Sequence, residues 1–151
     1  MRNTTSIAAL RLASEYVVAA TRVLTPPTSE LEALRMRISF PAYFLVGHSI
    51  ELSLKAFLLG RGMTKQELRS NKYGHRLDAL STEARRRRLG IEVKLLRSEL
   101  EGISVLNRCY AAKELEYVEE GFRTLPSYAL VHKVASKLCH GLQLYVRRVG
   151  A

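Results

Sequence analysis

His48, Glu51 and Lys55 sit close together in a stretch whose other members are almost all apolar, FPAYFLVGHSIELSLKAFLL from Phe40 to Leu59. Their spacing of i, i+3 and i+7 is one stripe of a 3.6-residue period, so the three groups share a single line down a helix. A second histidine, His75, follows in NKYGHRLDAL, and a return of the next helix would bring it, or Asp78, alongside that line. A histidine beside a carboxylate can be tuned as a general base, and a partly buried lysine can hold a phosphate. His48, Glu51, Lys55 and His75 are therefore the candidate catalytic set. A structural reading stands beside it: Glu51 and Lys55 neutralise one another as an i, i+4 pair, and the histidines bond to loop backbone, fixing helix register without chemistry. The structural reading is favoured, because no nucleophile and no metal-like carboxylate cluster accompanies the four.

The element that must position them is a helix apolar on nearly every side, hence an inner one. Pro41 suits its first turn, and Gly60 and Gly62 provide the stop. It is long enough to approach a membrane span, but a Glu and a Lys at mid-depth are costly there and no aromatic belt or second span accompanies it. Arg11 and Glu15 interrupt the N-terminal apolar run, so no secretory signal is expected. Two isolated thiols, Cys109 and Cys139, belong to no CxxC and point to a reduced, cytoplasmic protein; Cys139 and His140, at i and i+1, face different ways. Neither a cofactor nor a metal site is expected.

The 151 residues read as one domain, 1–151, with 47% hydrophobic residues to fill a core. A first helix is expected from about Thr5 to Leu24, ended by TPPTSE, with a short helix or ordered loop over Leu31 to Ile38. Thr64 and Glu67 match a capping box, opening a helix of one or two turns that ends near Ser70. Gly74 and His75 open the next helix, which carries Leu77, Leu80 and Ala84 inward and closes on Arg85 to Arg88. From Ile91 apolar residues keep helical spacing to about Cys109; residues 111 to 125 read as a loop; Pro126 and Ser127 open a last helix of more than six turns reaching Val149. No segment alternates with period two. The expected fold is all-α, an antiparallel up-and-down helical bundle of four to five main helices.

The formal charge is +10, and from Arg61 to Arg97 eleven Lys and Arg face four acids, a surplus of seven. Such a band attracts polyanions by counterion release. Arg61, Lys65, Arg69, Lys72, Arg76, Arg85, Arg86, Arg87 and Arg88 are the candidate RNA-binding residues. Solvated helix-end arginines explain part of the same run equally well, and Tyr73 is the only aromatic within the band for a base to stack on.

GHSIELSLKAFLL (Gly47 to Leu59), a short insert and YGHRLDAL (Tyr73 to Leu80) together resemble the HEPN superfamily, in the form of its stand-alone prokaryotic members. The resemblance implies a four- or five-helix bundle, frequent homodimers, and association with RNA or nucleotides. It also implies membership of toxin-antitoxin or defence systems, where many relatives are metal-independent ribonucleases. Their motif, an Arg and a His separated by four to six residues late in the domain, has no match at His132 or His140. Arg69 and His75 have that spacing in an earlier connection, and the nuclease role is not carried over to them. A non-catalytic module that docks on a nucleotidyltransferase or antitoxin partner is the second reading, and an apolar strip on one of the last two helices is expected to serve the homodimer.

Overall fold

The computed structural model describes residues 2–23, 39–113 and 125–150. Among them are eight helices and no strand: α1 (Arg2–Val23), α2 (Phe40–Gly60), α3 (Lys65–Arg69), α4 (Leu77–Arg86), α5 (Leu89–Glu92), α6 (Arg97–Ala111), α7 (Tyr128–Gly141) and α8 (Gln143–Gly150). The expected all-α helical bundle is what forms. The reading of a short helix or loop over Leu31 to Ile38, and most of the loop expected over 111 to 125, lie outside the described residues.

α2 is the inner helix. Ser39 caps its first turn by accepting from the Ala42 amide, and Pro41 stands where no intrahelical donor is needed. It packs against α1, α4, α6, α7 and α8, with Val46, Ile50, Leu54, Phe57 and Leu58 wholly buried. By length and composition it could cross a membrane, yet 67% of its apolar window lies inside the bundle. The Ser6 hydroxyl donates to the Ala56 carbonyl at 2.6 Å and the Ser49 hydroxyl to the Ala13 carbonyl at 2.7 Å, so α1 runs antiparallel to α2. The fully buried Ala13, Ala20 and Ala56 let these two backbones approach closely.

The connection from Arg61 to Arg76 brings the second histidine to the first. The capping box forms as expected: Thr64 Oγ1 accepts from the Glu67 amide, and Glu67 Oε2 accepts from the Thr64 amide at 2.7 Å. Leu68 and Tyr73 anchor the segment in the core, and the chain turns at Gly74, where φ is +31°. His75 arrives beside Glu51, and at the other end of α4 Arg87 Nη1 donates to the Arg61 carbonyl at 3.2 Å. α4 therefore runs in the same sense as α2.

Two long helices expected from periodicity are shorter in fact. The helix expected from Ile91 starts at Arg97, because Val93 is extended (φ −139°, ψ 118°) and the Glu99 carboxylate accepts from the Leu96 amide at 2.7 Å, capping α6 there. The last helix is interrupted at Leu142 and continues as α8. The two departures touch: a Cβ added at Gly141 would stand 2.5 Å from Val93 Cγ2, so the extended segment crosses where a glycine leaves room. Gly141→Ala is expected to cost about 1–3 kcal/mol in urea unfolding, and Val93→Ala in the same chain to recover part of it. Strictly additive costs would show that the two residues do not press on one another.

Candidate functional site

The structure brings His48, Glu51, Lys55 and His75 together and adds a residue that spacing did not single out, Tyr110 of α6. Glu51 is the centre, with only 2% of its side chain exposed. Lys55 Nζ donates to Oε1 at 2.7 Å, one helical turn on. His75 Nδ1 lies 3.1 Å from both carboxylate oxygens. The Tyr110 hydroxyl donates to Oε2 in a short hydrogen bond. His48 Nδ1 stands 3.5 Å from Oε2 but 2.9 Å from the Tyr110 oxygen, so its support for the carboxylate runs largely through the tyrosine.

Proton accounting fixes the tautomers. An ionised carboxylate only accepts, so His75 Nδ1 must donate to it. Tyr110 has one hydroxyl proton and gives it to Glu51, so its oxygen must accept from His48 Nδ1. Both imidazoles thus carry a proton on Nδ1 and turn Nε2 away from the carboxylate. Burial alone would raise the Glu51 pKa, but the nearby His48 N–H, the hydrogen bonds from Lys55 and Tyr110 and the Lys55 charge outweigh it and hold the group at about 2. With Lys55 on one oxygen and N–H and O–H donors around both, the carboxylate is neutralised by protein groups. Among the described residues no group of three or more His, Cys, Asp or Glu is placed to hold a metal.

The two histidines part company in their surroundings. Tyr16 packs edge-on to the His48 ring, with centroids 4.5 Å apart, and Phe44 stacks on it at 5.8 Å. His48 is a positioning residue. His75 has 55% of its side chain exposed and lines a cleft of ≈ 310 Å³ with Lys55, Arg69, Arg76, Ser70 and Asn71. Asp78 does not join them: its Oδ1 accepts from the Ala79 amide at 2.7 Å and its Oδ2 lies 3.7 Å from Arg76, because it sits in the first turn of α4. Tyr110 had one sequence signal, Gly47. A Cβ at that position would stand 2.7 Å from the tyrosine ring, so the glycine four residues before Glu51 makes room for a large side chain from elsewhere.

The nine basic candidates do not form one track. Arg69 and Arg76 face the cleft beside His75. Arg86 and Arg87 both bind Glu83, at 2.6 and 2.7 Å, and by their hydrogen bonds hold its pKa at about 2. Arg61 lies over the rings of Phe57 and Tyr145, and Lys72 over Tyr73. Lys65, Arg85 and Arg88 are exposed, Arg88 in the left-handed region at φ 70°. Of the other histidines, His132 bonds Thr21 Oγ1 at 3.0 Å, and His140 is exposed while Cys139 faces Ser49 and Ser53. In comparisons with family models, characterised proteins and solved structures nothing matched the chain, so its function is read from the site itself.

The Glu51 network makes its own demands on stability. Glu51→Ala leaves Lys55 and Tyr110 facing an uncompensated cavity and is expected to cost about 3–5 kcal/mol. The folded-state pKa of Glu51 lies below its ordinary 4.5, so its contribution is present above that value and lost as pH falls toward about 2. That loss is about 3 kcal/mol in the wild type and absent in Glu51→Gln, as urea titrations between neutral and acid pH will show. Gly47→Ala is expected to displace Tyr110 and destabilise by about 1–3 kcal/mol, and Tyr110→Ala in the same chain should relieve the clash. Equal acid sensitivity in wild type and Glu51→Gln would rule the network out as the pH-sensitive element.

Proposed function

We propose that this is a HEPN-like helical domain that binds RNA or a nucleotide in the cytoplasm, its phosphate held by Lys55, Arg69, His75 and Arg76. The observation that carries this reading is the composition of the ≈ 310 Å³ cleft: three cationic side chains, Lys55, Arg69 and Arg76, and the His75 ring line it, and among the described residues no carboxylate does. Glu51, the acid behind it, is already neutralised. Phosphates favour such a place because charge-assisted bonds from guanidinium and ammonium are the strong ones, and Arg presents a fork that matches phosphate oxygens. The free, buried state of both cysteines accords with a reducing compartment. Binding does not require cleavage, although RNA supplies its own 2′-hydroxyl and a ribonuclease needs no protein nucleophile. Metal-free cleavage that disappears in a folded His75→Ala variant would add that activity.

A second reading, a module that docks on a protein such as an antitoxin or nucleotidyltransferase or pairs with its own copy, is favoured by Ile7 and Val18, 40% and 49% exposed on one face of α1. Fluorescence anisotropy with a short single-stranded RNA separates the two. Affinity should fall steeply with salt, and Arg69→Ser with Arg76→Ser should weaken binding and reduce the log–log salt slope by about 0.7, for the one phosphate that is no longer neutralised. Parent-like affinity and slope in that double variant would move RNA off this cleft, and a wild type that binds no RNA at low salt would leave the docking reading in its place.

A further inference from the structure

The same cleft has a more specific fit. Resting on the proposal that it binds a nucleotide phosphate, we infer that it takes a phosphomonoester, the terminal phosphate of an RNA end or of a free mononucleotide, in preference to a phosphodiester within a strand. Three observations carry this.

The first is convergence. Lys55 comes from the middle of α2, Arg69 from the end of α3, and His75 and Arg76 from the turn before α4, so the donors surround a volume rather than line a path. Ser70 is common to this cleft and to a second one of ≈ 500 Å³ on the other side, but the second is lined by Glu67 and Glu83 as well as Lys72, Arg86 and Arg87. Both of those arginines are bonded to Glu83, and Glu67 accepts from Thr64. A strand passing Ser70 into the second cleft would meet arginines already bonded to a carboxylate.

The second is the His75 tautomer. With Nδ1–H committed to Glu51, the only group His75 can offer a ligand is Nε2, as an acceptor when the ring is neutral and as a donor when it is cationic. A phosphodiester has no proton, so its oxygens repel a neutral Nε2 and need the cationic ring. A phosphomonoester titrates near pH 6 and satisfies either form, as P–O–H to Nε2 or as P–O⁻ from Nε2–H. Its charge of about −1.5 to −2 at neutral pH, against one for a diester, also answers better to Arg69, Arg76 and the N–H groups Lys55 does not give to Glu51.

The third is size. A cleft of ≈ 310 Å³ lies at the small end of ligand sites, about 300–1,000 Å³, and suits one nucleotide, with Ser70 and Asn71 on its wall to meet the sugar or base.

The test uses one RNA sequence in three forms, with a 5′-phosphate, with a 3′-phosphate, and with hydroxyls at both ends, each labelled away from the varied end, together with AMP, adenosine and the methyl ester of AMP as competitors. A terminal phosphate should tighten binding roughly tenfold, and AMP should compete where adenosine and the methyl ester do not. Improvement at an RNA end identifies the strand terminus as the ligand; competition by AMP without it identifies the free mononucleotide. Arg69→Ser and His75→Gln should each abolish the difference between the forms, whereas Arg97→Ser, whose side chain is 94% exposed far along the chain on α6, should keep it. Should His75→Gln fail to fold, the exposed Arg69 decides alone. Equal binding of all three RNAs, with AMP no better than its methyl ester, overturns the inference while leaving RNA binding intact. Absence of binding by every RNA and nucleotide overturns the functional reading beneath it.

Discussion

A carboxylate placed inside an otherwise apolar helix must be met by donors, and meeting Glu51 is what joins the parts of this domain. Water is excluded from it, and an ionised group left alone there would neutralise or unfold its surroundings. The donors come from three places: Lys55 one turn along α2, Tyr110 near the end of α6, and His75 in the connection before α4. The same interaction therefore sets how α6 crosses α2 and where the chain returns after Arg61. Gly47 belongs to this requirement, since the tyrosine ring reaches Glu51 only where α2 has no side chain.

The surplus of positive charge is divided by the fold into parts with different consequences. Arg86 and Arg87 close the end of α4 on Glu83, and Arg61 covers aromatic rings at the end of α2, so these cations have internal partners. Arg69 and Arg76 with Lys55 and His75 converge on one acid-free cleft, while Arg85 and Lys94 line another with apolar neighbours. Net charge describes the attraction of the whole chain for polyanions at a distance, whereas the short-range pairing decides where an anion can come to rest.

How much of this was legible in the sequence depended on how local each feature was. The His48, Glu51, Lys55 stripe, the inner helix around it and the capping box at Thr64 are set by neighbours within a turn or two, and each is found where spacing put it. Tyr110 lies 59 residues from its partner, and nothing in its own segment distinguishes it from a core aromatic. Periodicity also ran two helices too far. Apolar spacing reports which residues face inward, and Val93 does face inward, but in an extended segment whose course is decided by Gly141 on another helix. Asp78, near His75 in sequence, was directed by its own helix start to a neighbouring amide.

The structural and the functional readings of the four polar residues are not alternatives here, because one carboxylate serves both. His48, stacked on Phe44, in edge contact with Tyr16 and bonded to Tyr110, is 23% exposed, and its part is to hold the tyrosine. His75 uses the same nitrogen directly on Glu51, yet 55% of its side chain is exposed, and it lines the cleft. Glu51 thus holds His75, which borders the cleft, directly, and His48, which completes the core, through Tyr110, and it fixes the tautomer of both by these bonds. A rigid, buried anchor behind an exposed ring would reduce the ordering cost of the proposed binding, since the ring is already aimed. By the same logic, a phosphate bound as proposed on Lys55 and His75 would leave their bonds to Glu51 in place, so occupancy of the cleft would add to the stability of the core network instead of competing with it.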